Sequence, residues 1–241
     1  MNNLWWRSLA DLLFPRTCCG CGERLGLDEH LVCSRCQMQL PLETNRDWLF
    51  NRRRASWSDH PCVANVGALT RYERTNISAQ MVHNLKFFRR YELGGWMGRT
   101  MAQQLCGTGL FEGVDILLPI PLSAARQRQR GFNQAEAIAR GMSDILGIPV
   151  RTDLLRREAS RESQTHFNLS QRMGNAAHVF RLLRPEGLEG KHIMLIDDVI
   201  TTGTTMLGAI EALEHIPRIR ISAFAWAWAH RIAPVNIIKK T

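Results

Sequence analysis

The sequence predicts an α/β fold built on a parallel sheet, with a small cysteine-bearing module in front of it. Three observations lead there. Ile193, Met194, Leu195 and Ile196 form an unbroken apolar run bounded by polar residues, and Ile116, Leu117 and Leu118 form another. Short runs of this kind suit strands buried on both faces, as a parallel sheet covered by helices requires. Around them apolar residues recur at helical spacing, as in Ala135, Ile138, Met142 and Ile145, or Met206, Ile210 and Leu213, so strands and helices alternate. Near the N-terminus, Cys18 with Cys21 and Cys33 with Cys36 make two C-x-x-C pairs.

At 241 residues and 45% apolar content, the chain is long enough for one full core and a small extra module. No apolar run approaches the roughly 18 residues of a membrane span, and Asp11 interrupts the apolar residues that a secretion signal would need. A soluble cytoplasmic protein is expected. The net charge of +9 points to an anionic ligand, a polyanionic partner such as nucleic acid, or both.

In chain order, Trp5, Leu9, Leu12 and Leu13 share one stripe of a helix over 4–14, expected to dock on the protein's own core. The two C-x-x-C pairs follow. Each turn lets its two sulfurs point the same way, so Cys18, Cys21, Cys33 and Cys36 can converge tetrahedrally on one zinc ion. Cys19 is the alternative to Cys18. Four thiolates leave no open coordination position, so the zinc is expected to be structural. Residues 1–43 thus form the first module. Residues 44–61, with Arg46, Arg52, Arg53, Arg54, Trp48, Phe50 and Trp57, lack a period and read as a basic linker, with single-stranded nucleic acid as the alternative use of its cations and rings. Cys62 and Cys106 stand alone and are expected to be buried.

The main domain is expected over 62–231, with 232–241 as a tail. Val63–Leu69 reads as a strand and 77–85 as a helix ending in Lys86, Phe87, Phe88, Arg89 and Arg90. That run either borders a ligand cleft or is a helix end with inward rings and solvated cations. Residues 94–105 continue as a helix. The strand over 116–118 is closed by Pro119 and Pro121. Ser123 is placed to cap the segment carrying Arg126, Arg128 and Arg130, and Asn133 to cap the next helix. Residues 151–184 form the most basic segment. The run 193–196 ends on Asp197 and Asp198, and Thr201, Thr202, Gly203, Thr204 and Thr205 then turn into a helix. Its N-terminus, with free N–H groups and the positive dipole end, suits a phosphate. Residues 219–229 read as the last strand. In an open α/β sheet, ligands collect at the carboxyl ends of strands, so the loops after 118 and after 198 are expected to face one ligand.

Four apolar residues, two acids, an apolar residue and a Thr/Gly loop resemble the signature of type I phosphoribosyltransferases, which bind phosphoribosyl pyrophosphate (PRPP). The resemblance implies that Asp197 and Asp198 approach the ribose hydroxyls and that Thr201 to Thr205 hold the 5′-phosphate. It further implies that Pro121, Leu122, Ser123 and Ala124 hold pyrophosphate together with Mg2+, and that a basic loop bearing Arg156, Arg157 and Arg161 closes over it. The segment LPIPLSAARQRQRGFNQA narrows this to a resemblance to the ComF family (competence protein F, GntX-like), as do the paired C-x-x-C and QTHFNLSQRMGNAAHVF over 164–180. That family implies a role in natural competence, with single-stranded DNA and competence helicase or DNA-uptake proteins as partners. Lys86, Arg126 and Arg130 are expected to add basic contacts. The alternative implied by the same motif is an active transferase moving phosphoribose to an acceptor. Gln164, Arg172 and Asn175 match the ComF pattern without an evident chemical role.

Overall fold

The computed structural model describes residues 15–43, 57, 59–88, 90–158 and 179–229. Several sequence expectations lie outside these residues: the helix over 4–14, nearly all of the linker, Arg89, Arg161, Gln164, Arg172, Asn175 and the tail.

A four-stranded parallel sheet forms the core. Its strands are β1 (Val63–Tyr72), β2 (Ile116–Pro119), β5 (His192–Ile200) and β6 (Arg220–Ala229), in the order β1-β6-β5-β2. The expected parallel α/β class is therefore what the chain adopts. Both faces are covered, which explains the apolar runs: Ile193 to Ile196 are fully buried, as are Phe224 and Trp226. A short antiparallel ribbon, β3 (Leu155–Arg157) with β4 (Phe180–Leu182), stands apart from this sheet.

One face carries α2 (Ile77–Phe87), α3 (Tyr91–Leu105) and α5 (Gln134–Leu146). The α3/α5 contact is unusually close because it is made of glycine. A Cβ on Gly98 would lie 2.0 Å from the Ile138 carbonyl oxygen, and one on Gly141 would lie 2.1 Å from that of Gly95. Any larger residue there would push the helices apart. The opposite face carries α6 (Thr204–Leu213), the ribbon and Trp57.

The N-terminal module, with the short α1 (Ser34–Met38), shares the core of the α2 face: Cys18, Cys19, Val32 and Cys36 are buried in the same cluster as Met81 and Leu85. Asn84 donates to the Cys19 carbonyl (2.7 Å) and Arg90 to the Cys19 sulfur (3.0 Å). Residues 41–43 then run antiparallel along the edge of β1, through Arg71 N–H to Pro41 O (3.0 Å) and Glu43 N–H to Leu69 O (2.9 Å). This closes an otherwise open sheet edge.

Four expectations need correction. β5 does not run out at the acids; it continues to Ile200, and Asp197 pairs in register with Ala225. The segment after 151 is not all loop, since β3 and β4 pair within it. Cys106 is exposed and Cys62 half-buried, because Cys106 follows the last turn of α3 and Cys62 precedes β1. Trp57 is not a solvated connector residue but 4% exposed. No helix among the described residues is long and apolar enough to cross a membrane.

Candidate functional site

The carboxyl ends of β2 and β5 meet at a cavity of about 130 Å³. Asp197, Asp198 and Thr205 line it from the β5 side, and Pro121, Leu122, Arg126 and Arg130 from the loop after β2. Asn133 and Gln134 at the start of α5, Lys86 from α2 and Arg157 from β3 add to it. The two loops expected to share a ligand thus face one space.

The acids are held differently from one another. Asp198 is buried, and its Oδ1 lies 2.8 Å from Lys86 Nζ. Lys86 is partly exposed, so the dependence runs one way: removing the lysine would leave the buried Asp198 carboxylate without its counter-charge. Asp197 is only half-buried by side-chain accessibility, and its Oδ1 accepts the Asp198 N–H at 2.8 Å. Desolvation and the adjoining Asp198 carboxylate push Asp197 up to about 7, with Lys86 and Arg157 pulling the other way. Burial lowers the Arg157 guanidinium below its ordinary value, Arg126 adds to this, and Asp197 opposes it. Arg157 also lies over the Phe180 ring at 5.3 Å, which fixes it beside the cavity. With Lys86, Arg126, Arg130 and Arg157 against Asp197 and Asp198, cations outnumber carboxylates in the lining.

Behind the acids, α6 begins at Gly203, whose left-handed φ of 81° makes the turn and which gives no side-chain cap. The first N–H groups of α6 are therefore free for a ligand. Gly203 is needed twice over, since a Cβ there would lie 2.8 Å from Trp57 Cζ2. Thr202 and Thr204 join hydroxyls at 2.9 Å across the turn. Thr201, Thr202 and Thr204 are exposed on this loop, and Thr205 alone of the five reaches the cavity lining.

Not every expected residue converges. Ser123 accepts the Arg126 N–H (3.4 Å) as N-cap of α4 (Ala124–Arg130), and neither it nor the exposed Ala124 lines the cavity. Arg156 points away from Arg157 on the ribbon and is exposed. The run at Lys86 divides between its two readings: Lys86 borders the cavity, while Phe87 and Phe88 are exposed rather than packed inward.

Sequence reasoning missed Gln134. It is 1% exposed, its Oε1 accepts from Arg130 Nη1 (2.8 Å), and its amide donates to Phe132 O (3.1 Å). Asn133 caps α5 and donates to Ile120 O (3.0 Å), tying the helix start to the β2 loop. The RGFNQ stretch is thus a clamp that aims Arg130; because Arg130 ends α4 and Gln134 opens α5, no helical spacing marked the pair in the sequence.

In the N-terminal module, the Sγ atoms of Cys18, Cys21, Cys33 and Cys36 all lie within 4.8 Å of one another. Cys21 and Cys33 are 3.8 Å apart. Tetrahedral zinc with Zn–S near 2.3 Å requires sulfurs about 3.8 Å apart, so the donor set fits. Gly20 and Cys33 N–H groups donate to Cys18 Sγ at 3.3 and 3.2 Å, the bonds that steady a thiolate knuckle. Burial raises Cys36, and the neighbouring thiols raise it further. For Cys21 burial acts the same way, but hydrogen bonds, from the Glu23 amide foremost and from Arg35, outweigh it and bring the thiol down to about 7. Cys19 is outside the cluster, bonded to Arg90.

Residues 99–236, more than half of the chain, match the family model for the phosphoribosyl transferase domain. The chain is 32% identical over 130 residues to the DNA utilization protein YhgH of Salmonella typhimurium, covering 52% of this chain and 56% of that one. It is 28% identical to competence protein F of Haemophilus influenzae, over 52% of this chain and 57% of the relative. With competence protein ComFC of Bacillus subtilis it shares 35% identity over 41% of this chain and 38% of that one. The matched stretch therefore spans about half the length of the first two relatives and 38% of the third. Among solved structures, the B. subtilis glutamine PRPP amidotransferase complexed with ADP and GMP is similar at 16% identity, TM-score 0.42, over 59% of this chain and 30% of that one.

Proposed function

Because this chain belongs to the phosphoribosyl transferase domain family, in the group with YhgH and the ComF competence proteins, we propose that it binds PRPP at the β2/β5 cavity and single-stranded DNA on its basic surface, acting in DNA uptake or utilization. One observation carries the reading: a pair of adjacent carboxylates faces four cations across one small cavity beside the free N-terminus of a helix.

In this reading Asp197, the more accessible acid, accepts from the ribose hydroxyls, and Asp198 holds Lys86 against the cavity. Arg126, Arg130 and Arg157 take the pyrophosphate, and the α6 N–H groups with Thr205 take the 5′-phosphate. A magnesium ion bound with the ligand would supply neutralisation of the pyrophosphate charge, and Asp197 is the carboxylate that could reach it. The four cysteines hold a structural zinc, and the phosphoribosyl-binding domain starts near residue 62, just before β1.

Calorimetric titration of PRPP with Mg2+ tests the reading. Saturable binding that Arg157→Ala weakens at least tenfold supports it, with pyrophosphate release followed in the same samples to detect transfer. Absence of PRPP binding by the folded, zinc-loaded chain refutes it.

A further inference from the structure

A second cleft, about 660 Å³, lies between the Cys18–Cys21 knuckle and α2. Gly20, Cys21 and Gly22 form one wall, and Ile77, Gln80, His83, Asn84 and Phe88 the other. Its rim is aromatic. Phe87 and Phe88 are each 60% exposed, and His83 meets both at tilted angles, with ring centroids 4.7 and 5.9 Å away. Bulky rings are rarely left in water in a row, and a continuous exposed cluster of this sort marks a binding surface.

Its chemistry selects among partners. No carboxylate lines the cleft among the described residues. Arg35 bonds Cys21 on one wall, and exposed Arg74 precedes Thr75 at the other end. Gln80, Asn84 and Thr75 offer amide and hydroxyl groups beside the rings, and Asn84 is held in place by its bond to Cys19 O (2.7 Å). Flat rings with amide groups alongside and cations at both ends match an unpaired base and its flanking phosphates. A purely apolar partner helix would cover the Gln80 amide without offering it a partner.

We infer that this cleft is the base-binding recess for single-stranded nucleic acid, with Phe88 and His83 as the stacking surface and Arg74 and Arg35 meeting the phosphates. The assignment rests on the single-strand part of the function proposed above. It also places the strand one helical turn from Lys86, so that a single helix, α2, contacts both ligands.

Fluorescence anisotropy of labelled oligothymidylate with the full, zinc-loaded chain provides the test. Phe88→Ala is expected to weaken binding about tenfold, the scale of one lost base–aromatic stack, while Phe88→Trp retains it and shows quenching of the new indole on strand addition. PRPP affinity by calorimetry stays unchanged in both, since Phe88 does not line the other cavity. An abasic oligonucleotide of equal length is expected to bind the wild type as weakly as thymidylate binds Phe88→Ala. Equal affinity of wild type and Phe88→Ala, or of abasic and thymidylate strands, overturns the recess while leaving single-strand binding by another surface intact. A Phe88→Ala change that shifts only the oligomeric state in light scattering makes the cleft a protein contact and also overturns it. A wild-type chain that binds no oligonucleotide removes the single-strand reading and the recess together.

Discussion

The four-cysteine knuckle and the acidic cavity are both places where like ionisable groups are forced together, and α2 touches both. Its first turn packs Ile77 against the knuckle at Gly20, and its last turn sets Lys86 on Asp198. The knuckle turns its donors inward: Cys18, Cys33 and Cys36 are buried, and backbone N–H groups are spent on their sulfurs. The cavity leaves its groups available. Asp197 remains half-accessible, Arg126 is exposed, and the α6 N–H groups have no cap. A site whose donors satisfy one another serves folding. A site that keeps groups accessible around one internal pair, Asp198 with Lys86, serves a ligand that arrives later.

The largest expected effect breaks the knuckle side of this contrast. Cys36→Ser removes a buried ligand that, with Cys18 and Cys33, is also part of the main core. Zinc content by atomic spectroscopy is expected to fall from about one per chain to near zero. The melting temperature should drop by ~10–20 °C, as follows from roughly 5 kcal/mol of lost metal-linked stability. Cys106→Ser, at an exposed cysteine, is the control and should stay within about 0.5 kcal/mol.

Asp197→Asn tests the cavity side and should separate stability from function. It is expected to weaken PRPP binding about a hundredfold, ~3 kcal/mol. The unliganded protein behaves the other way. Because burial and Asp198 raise Asp197 to about 7, the folded chain favours the protonated acid. That contribution to stability is complete below the unfolded value near 4 and is lost as pH rises through about 7. Asn carries no charge, so the variant should melt higher than wild type at pH 8 and no higher at pH 4. A variant less stable at pH 8 would show that Asp197 is a structural acid after all.

The same property governs pH dependence. If the ionised Asp197 is the form that meets the ribose and its metal, PRPP affinity should fall as pH drops through about 7, by up to about tenfold per unit. Titrations between pH 5.5 and 8.5 in the wild type, flat in Asp197→Asn, would establish the link; an equally steep fall in both would assign the titration to the ligand's own phosphates.

How much of this was legible in the sequence differs between the two regions. The knuckle was readable outright, because C-x-x-C spacing encodes its geometry; only the choice between Cys18 and Cys19 needed coordinates, since adjacent residues cannot be ranked by spacing. The sheet's centre was readable from its apolar runs. The rule that found β5 also ended it too early: beyond Ile196 the strand stays paired while its burial alternates through Asp197 and Asp198, and two charges look like an end. The ribbon had no periodic signal, with only three residues in each strand. Trp57 sat among arginines without a pattern, yet it lies against Gly203. Such long-range contacts are set by the fold and leave no local trace.

A smaller effect is expected at Gln134, which lines the cavity and holds Arg130. Gln134→Leu keeps volume in a site that is 1% exposed but removes the acceptor for Arg130 Nη1. PRPP affinity should fall about fivefold, ~1 kcal/mol, the scale of one net hydrogen bond. Double substitution with Arg130→Ala should add little to Arg130→Ala alone, because the two act through one guanidinium.

The smallest effect compares two arginines on one short helix. Arg126 and Arg130 on α4 line the cavity and Arg128 does not, although Arg126 and Arg128 are both exposed and carry the same charge. Arg126→Ala should weaken PRPP binding severalfold, whereas Arg128→Ala should leave it unchanged. Against single-stranded DNA Arg128→Ala should cost only about twofold, yet lower the slope of log affinity against log salt by just under one, the signature of one lost phosphate contact. If both substitutions act alike on PRPP, the cavity senses the general positive field rather than placed side chains. The cavity would then differ from the closed knuckle in charge alone and not in the placement of its side chains.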